Sequence, residues 1–187
     1  MSFTRKLGRS GIEVSALGMG CWAIGGPFWS GATPHGWDEV DDAESERAIQ
    51  RAIDLGATFF DTANVYGAGH SERVLGRALA GQRQQVVVAT KFSAVFDEST
   101  RQVTGADASP DGIRRACEAS LRRLKTDYID LYQFHDNGYP AAQAEPVRET
   151  LEELVAAGRH RCRLAARGVY LCLARRRLLA LPGHCHL

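Results

Sequence analysis

Three apolar runs in this chain each end on a different ionisable side chain. Thr58-Phe59-Phe60 leads into Asp61, Val86 to Thr90 into Lys91, and Tyr128 to Phe134 into His135. Tyr66 follows Asp61 in the same loop. If the runs are neighbouring parallel strands, all four groups gather on the rim at the strands' carboxyl ends, where α/β enzymes build their sites. A phenol with an ordinary pKa near about 10 is a poor proton donor at neutral pH. A nearby ammonium favours the phenolate and eases the transfer. Lys91 can supply that charge, Asp61 can hold the ammonium by an ion pair, and His135 can orient a carbonyl oxygen by a hydrogen bond. Together they suit protonation of an oxyanion as hydride arrives at carbon.

Taken singly, each residue has an ordinary explanation. A lone lysine at a strand end is usually solvated or paired, and a lone histidine is usually structural. Lys91 could also form a Schiff base as in an aldolase-like barrel, although its acidic and phenolic surroundings suit hydride reduction better. Gly18-Met19-Gly20-Cys21-Trp22-Ala23 matches a loose dinucleotide-binding pattern. That pattern needs a helix opening on the glycines, and Ile24-Gly25-Gly26-Pro27 cannot start one. A tight loop lining a pocket is the better reading.

The elements that must position these groups alternate along the chain. Val14 to Leu17 is a first short strand, ending in Gly18-Met19-Gly20. Asp41 and Glu44 resemble a capping box for a helix with Ala48, Ile49, Ala52 and Ile53 on one face. Gly56 is its stop. Ser71 can cap a second helix, with Val74, Leu75, Ala78 and Leu79 inward and Gly81 as its end. Val86 to Thr90 is a near-continuous apolar run, as in strands buried on both faces. Ser109 followed by Pro110 is a strong helix start, and a fourth helix covers roughly Ala144 to Ala157, ending at Gly158. Strands alternating with helices predict parallel βα units with right-handed crossovers. The expected fold is α/β: roughly the first half of a (β/α)8 barrel, with Phe3 to Ile12 forming a hairpin.

The 187 residues fall short of the ~250 typical of a complete barrel. No opening stretch reads as a signal peptide, and no apolar run reaches the ~20 residues needed to span a bilayer. Five cysteines without paired spacing point to free thiols in a reducing compartment, so the expected location is the cytoplasm. The net charge of +1 conceals an asymmetry: residues 1–158 carry 16 Lys+Arg against 22 Asp+Glu, whereas residues 159–187 carry seven arginines and no acid. Two kinds of sequence therefore meet near Gly158, a domain over 1–158 and a basic tail over 159–187.

Over residues 3 to about 158 the chain resembles the aldo-keto reductases. Arg5 to Ser15 followed by Leu17-Gly18-Met19-Gly20 is similar to that family's opening. Phe60-Asp61-Thr62-Ala63-Asn64-Val65-Tyr66-Gly67, Ser71-Glu72, Ala89-Thr90-Lys91 and Leu131 to His135 are similar to its active-site blocks, in order. The resemblance implies a TIM barrel that reduces aldehydes or ketones with NADPH or NADH, NADP being favoured. It implies Tyr66 as proton donor, Asp61 and Lys91 as its tuning pair, and His135 as the group positioning the carbonyl. It also implies cofactor contacts at Gly20, Cys21, Trp22 and Asp61, and aromatic pocket walls at Trp22 and Trp29. No metal, nucleic-acid or membrane partner is expected; the partner is a small carbonyl substrate.

The departure comes after Gly158, where the family would continue with a fifth strand and then the segments that hold most of the cofactor. Arg159-His160-Arg161-Cys162-Arg163-Leu164 stands there instead. An acid-free stretch rich in Arg, Ala, Leu, Cys and His is what GC-rich DNA gives when read out of frame, so a frameshift near codon 158 is the expectation. Arg175-Arg176-Arg177 is too short a cluster for a nucleic-acid arm, and His184-Cys185-His186 fits a tetrahedral zinc site poorly. Weak or no reductase activity is expected, with a non-catalytic fragment as the alternative.

Overall fold

The computed structural model describes residues 3–8 and 10–157 and the strands 163–166, 172–174 and 177–179. Strands β1 (Thr4–Lys6) and β2 (Glu13–Ser15) form an antiparallel hairpin, with Arg5 opposite Val14. Ser15 and Thr58 exchange hydrogen bonds, each backbone N–H donating to the other's side-chain oxygen at 2.8 Å. This fastens the hairpin to the amino end of the strand that follows Thr58. Glu13–Ser15 therefore belongs to the hairpin, not to a first barrel strand over Val14 to Leu17. That first strand is β3 (Met19–Gly20), only two residues long. Gly18 just before it crosses Phe59 so closely that a Cβ there would lie 2.7 Å from the Phe59 ring.

The chain then adds β4 (Phe28–Ser30), β5 (Thr33–His35), helix α1 (Asp42–Asp54), β6 (Phe59–Asp61), helix α2 (His70–Ala78), β7 (Val87–Phe92), β8 (Ala94–Asp97), β9 (Gln102–Ala106), helix α3 (Pro110–Leu124), β10 (Leu131–Phe134) and helix α4 (Glu145–Ala156). Strands β3, β6, β7 and β10 lie side by side in chain order and are all parallel. An order that never reverses is barrel winding; an open doubly wound sheet reverses at its switch point. A fifth strand, β11 (Arg163–Ala166), continues the arc parallel to β10. Strands β12 (Cys172–Ala174) and β13 (Arg177–Leu179) pair antiparallel. Gly158 and the histidines and cysteine at 184–186 lie outside the described residues.

Helix starts follow their caps closely. Asp41 accepts hydrogen bonds from the N–H groups of Ala43 and Glu44 at 2.8 and 3.3 Å. Glu44 pairs with Arg47 and does not close the capping box. Ser109 caps α3 by accepting from Gly112 N–H at 3.1 Å, with Pro110 in the first turn. Helix α2 begins differently: Gly69 occupies the cap position, and Ser71 lies inside the helix, fully buried. The core fills the space between these helices and the arc. Phe60, Val88, Phe92, Ile113, Ile129 and Tyr132 are all fully shielded, each aliphatic or Phe side chain worth ~1.5–3 kcal/mol of burial.

Two features escaped the sequence reading. Strands β4, β5, β8 and β9 form a four-stranded side sheet in the order β5-β4-β9-β8, joining the loops that follow β3 and β7. The second feature is a charge pair inside the helical layer. Arg123 of α3 donates from Nε to Glu72 of α2 at 2.7 Å, with Glu72 fully buried and Arg123 9% exposed. Removing one partner of such a pair strands the other charge away from water. Arg123→Met is therefore expected to lower unfolding free energy by about 3–5 kcal/mol in denaturant titrations, and Glu72→Leu added to it is expected to recover most of that loss.

Candidate active site

The ends of β6, β7 and β10 place Asp61, Lys91 and His135 on one rim. In the register Asp61 pairs with Ala89, and Lys91 with Gln133. Pairing of β6 with β7 continues past Asp61, since Thr62 and Asn64 donate their N–H groups to Ala89 and Lys91 carbonyls. This carries the chain directly beneath the ammonium. Lys91 Nζ lies 2.7 Å from Asp61 Oδ2, 2.7 Å from the Thr62 carbonyl oxygen and 3.3 Å from Tyr66 Oη. The Lys91 side chain is 13% exposed and that of Asp61 35%. An ammonium so enclosed is held by fixed oxygens in place of water, which is what burial of a charge demands.

Tyr66 is oriented from several sides. Its ring stacks on Trp22 at 6.1 Å and meets the edge of His135 at 5.9 Å, with Lys91 Nζ 4.9 Å from the ring centre. Beneath it, Gly67 takes φ 60°, and a Cβ on Gly67 would fall 1.8 Å from the carbonyl oxygen of Gly25. Only glycine permits that crossing. Ser71 reinforces the same loop: its hydroxyl donates to the Cys21 carbonyl at 2.6 Å and shares a 2.8 Å hydrogen bond with Thr62.

His135 has an exposed outer side, yet its ring lies against Tyr66 near the Lys91 charge. Desolvation first and the Lys91 charge second push its pKa down to about 4. The imidazole is thus neutral at physiological pH and offers a neutral N–H donor. Its backbone N–H donates to the Phe92 carbonyl at 2.9 Å, tying the start of its loop to β7.

Gly20 ends β3 in register with Asp61, and the direction of its missing Cβ is open for 4 Å. Cys21 is fully buried in the core and donates its N–H to the Asp61 carbonyl at 2.8 Å, so its side chain offers a ligand no surface. Burial, and then the Asp61 charge, push its thiol up to about 12 against the opposing pull of Lys91. Trp22 is 45% exposed and lies against the Tyr66 ring. Trp29 lies in β4 opposite Pro34 and Gln102, in the side sheet. The second exposed indole is Trp37, edge-on to Trp22 at 6.2 Å. Sequence reasoning missed Trp37, the Thr62 carbonyl and the Gly25–Gly67 crossing; of these, only the glycines carried a signal in residue type.

No group of three His, Cys, Asp or Glu side chains arranged to hold a metal occurs among the described residues. No helix among them is long and apolar enough to cross a membrane. A groove of about 570 Å³ between α2 and α3 is lined by Arg73, Arg77, Glu98, Arg122, Arg123 and Lys125. It lies on the outer helical face, where Glu98 bridges Arg73 and Arg123, apart from this rim.

A parallel barrel arc thus presents a phenol, an ammonium, a carboxylate and an imidazole at its carboxyl rim. The family model described as "Aldo/keto reductase family" matches residues 16–163, and the chain belongs to that family. It is 40% identical over 163 residues to the aldo-keto reductase YhdN of Bacillus subtilis, covering 86% of this chain and 45% of that relative. Among solved structures it is similar to aldo-keto reductase AKR11C1 from Bacillus halodurans in its holo form. The identity is 33% and the TM-score 0.74, over 89% of this chain and 51% of that one. It is also similar to an aldo/keto reductase from Klebsiella pneumoniae in complex with NADP and acetate. There the identity is 33% and the TM-score 0.65, over 89% and 50% of the two chains. The chain thus spans about half the length of the relatives it matches.

The depressed His135 pKa has a definite consequence for stability. Between pH 6.5 and about 4 the unfolded chain takes up a proton that the folded imidazole refuses, so this group withdraws stability as pH falls through that window. NMR of the His135 ring is expected to show a protonation midpoint well below 6.5, at about 4. A midpoint at 6.5 would place the ring in solvent.

Proposed function

We propose that this chain carries the proton-transfer half of an NADP(H)-dependent reductase acting on small aldehydes or ketones. The observation that carries the reading is Lys91 Nζ seated between Asp61 and the Tyr66 hydroxyl, at 2.7 and 3.3 Å. Asp, Tyr, Lys and His exchange protons but supply no hydride, so this donor set calls for a carrier of reducing equivalents. Gly20, in register with Asp61, has no atom within 4 Å in the direction of its missing Cβ, which leaves room there for part of such a carrier. When bound, a reduced nicotinamide supplies the hydride. NADP is preferred over NAD on the strength of the Klebsiella relative's complex.

Tyr66 donates its phenol proton to the carbonyl oxygen of the substrate. Lys91 offsets the negative charge left on the phenol oxygen 3.3 Å away, an attraction of about 5 kcal/mol at an effective dielectric constant of about 20. Asp61 cancels part of this but keeps the ammonium in place. His135, neutral, donates an N–H hydrogen bond to the same carbonyl oxygen and fixes its direction, as oxyanion-stabilising donors do. Trp22 confines the substrate on the side of the Tyr66 ring.

Cofactor binding by this chain is weak in our reading, because among the described residues the assigned contacts, Gly20, Trp22 and Asp61, all serve the ring end of the cofactor, and the buried Cys21 is not one of them. The cytoplasm is the proposed setting, supported by the free thiols of Cys21 and Cys117. In NADPH fluorescence titrations the protein is expected to show no saturation in the micromolar range. Its slow carbonyl-dependent NADPH oxidation is expected to fall by ~10²–10⁴-fold in Tyr66→Phe. Equal rates for the two proteins would contradict the assignment.

A further inference from the structure

We propose that Glu72 is a positioning residue that sets the distance between Tyr66 and Lys91. The inference rests on reading those two residues as the proton-donating pair. Its basis is a buried carboxylate whose two oxygens have different partners. Oε1 accepts the Thr90 hydroxyl at 2.5 Å, and Oε2 accepts Arg123 Nε–H at 2.7 Å. Glu72 and Thr90 are both fully shielded from solvent.

Thr90 precedes Lys91 in β7, and successive side chains of a strand leave on opposite faces. Holding the Thr90 hydroxyl from the helical side therefore fixes the rotation of the strand, and with it the direction in which Lys91 enters the rim. On the other flank, Ser71, the neighbour of Glu72, donates its backbone N–H to the Tyr66 carbonyl at 3.2 Å. One carboxylate thus restrains both members of the pair, one through a hydroxyl and the other through the first turn of α2.

Joining α2 to α3 does not by itself call for charge. The helices already cross closely at Gly76, where a Cβ would lie 2.7 Å from the Arg123 and Leu124 backbone. An apolar pair of similar volume commonly holds such a contact at least as well as a buried ion pair. The surroundings are nevertheless shaped to admit Arg123: a Cβ on Gly69 would fall 2.6 Å from its Cδ. A fixed direction toward Thr90 is what the charge pair supplies and an apolar pair would not.

The test is an NMR measurement of cross-relaxation between the Lys91 side-chain methylenes and the Tyr66 ring in the folded protein. Thr90→Val removes the hydroxyl at nearly constant volume, and Thr90→Ser retains it. Thr90→Val is expected to lose most of that cross-peak, and the Glu72→Leu/Arg123→Met double variant likewise, while Thr90→Ser keeps it. Retention of the full cross-peak in Thr90→Val and in the double variant would overturn the proposal. Because this readout is a distance, it separates failure of positioning from failure of the catalytic assignment, which the Tyr66→Phe rate addresses.

Discussion

The site depends on a single enclosed ammonium. Lys91 exchanges most of its water for the Asp61 carboxylate, the Thr62 carbonyl and the Tyr66 hydroxyl. Withdrawing a charge from water costs several kcal/mol unless fixed partners replace the solvent, so those three oxygens must be in place when the chain folds. Asp61 and Thr62 come from the end of β6 and Lys91 from the end of β7, which makes the β6–β7 register a condition for the site. A slip of one residue would turn Lys91 to the opposite face of the sheet.

The surrounding architecture serves that condition. The hairpin secures the amino end of β6 through Ser15 and Thr58. The buried Cys21–Ser71–Thr62 hydrogen bonds and the Gly25–Gly67 crossing secure its carboxyl end. On the helical side, Glu72 and Arg123 fasten α2 and α3 to Thr90. Within the rim, desolvation first and the Lys91 charge second disfavour the protonated form of His135. An ammonium and a neutral imidazole can therefore sit on either side of one phenol without mutual repulsion.

Much of this was legible in the sequence because strand ends are marked by chemistry. Apolar runs that stop at Asp61, Lys91 and His135 announce both the strands and what lies beyond them, and Ser109-Pro110 announces a helix by local physics alone. What could not be read depends on distant partners. The side sheet pairs Trp29 with Gln102 across two loops, and its short strands contain Pro34 and Gly105, residues that weaken any strand signal. Ser71 has the type of a helix cap, yet its hydroxyl is taken by Thr62 and by the Cys21 carbonyl, a choice made only when β3, β6 and α2 have come together. Strand β3, at two residues, is too short for periodicity to register.

The most direct measurement is a double-mutant cycle on unfolding free energy with Asp61→Asn and Lys91→Met. If the enclosed ammonium and its carboxylate are partners, each single change strands the other charge. The double variant should then lose less than the two singles added together, by at least ~1 kcal/mol. Additivity within ~0.5 kcal/mol would mean that the two groups do not meet, and the site built around Lys91 would have no foundation.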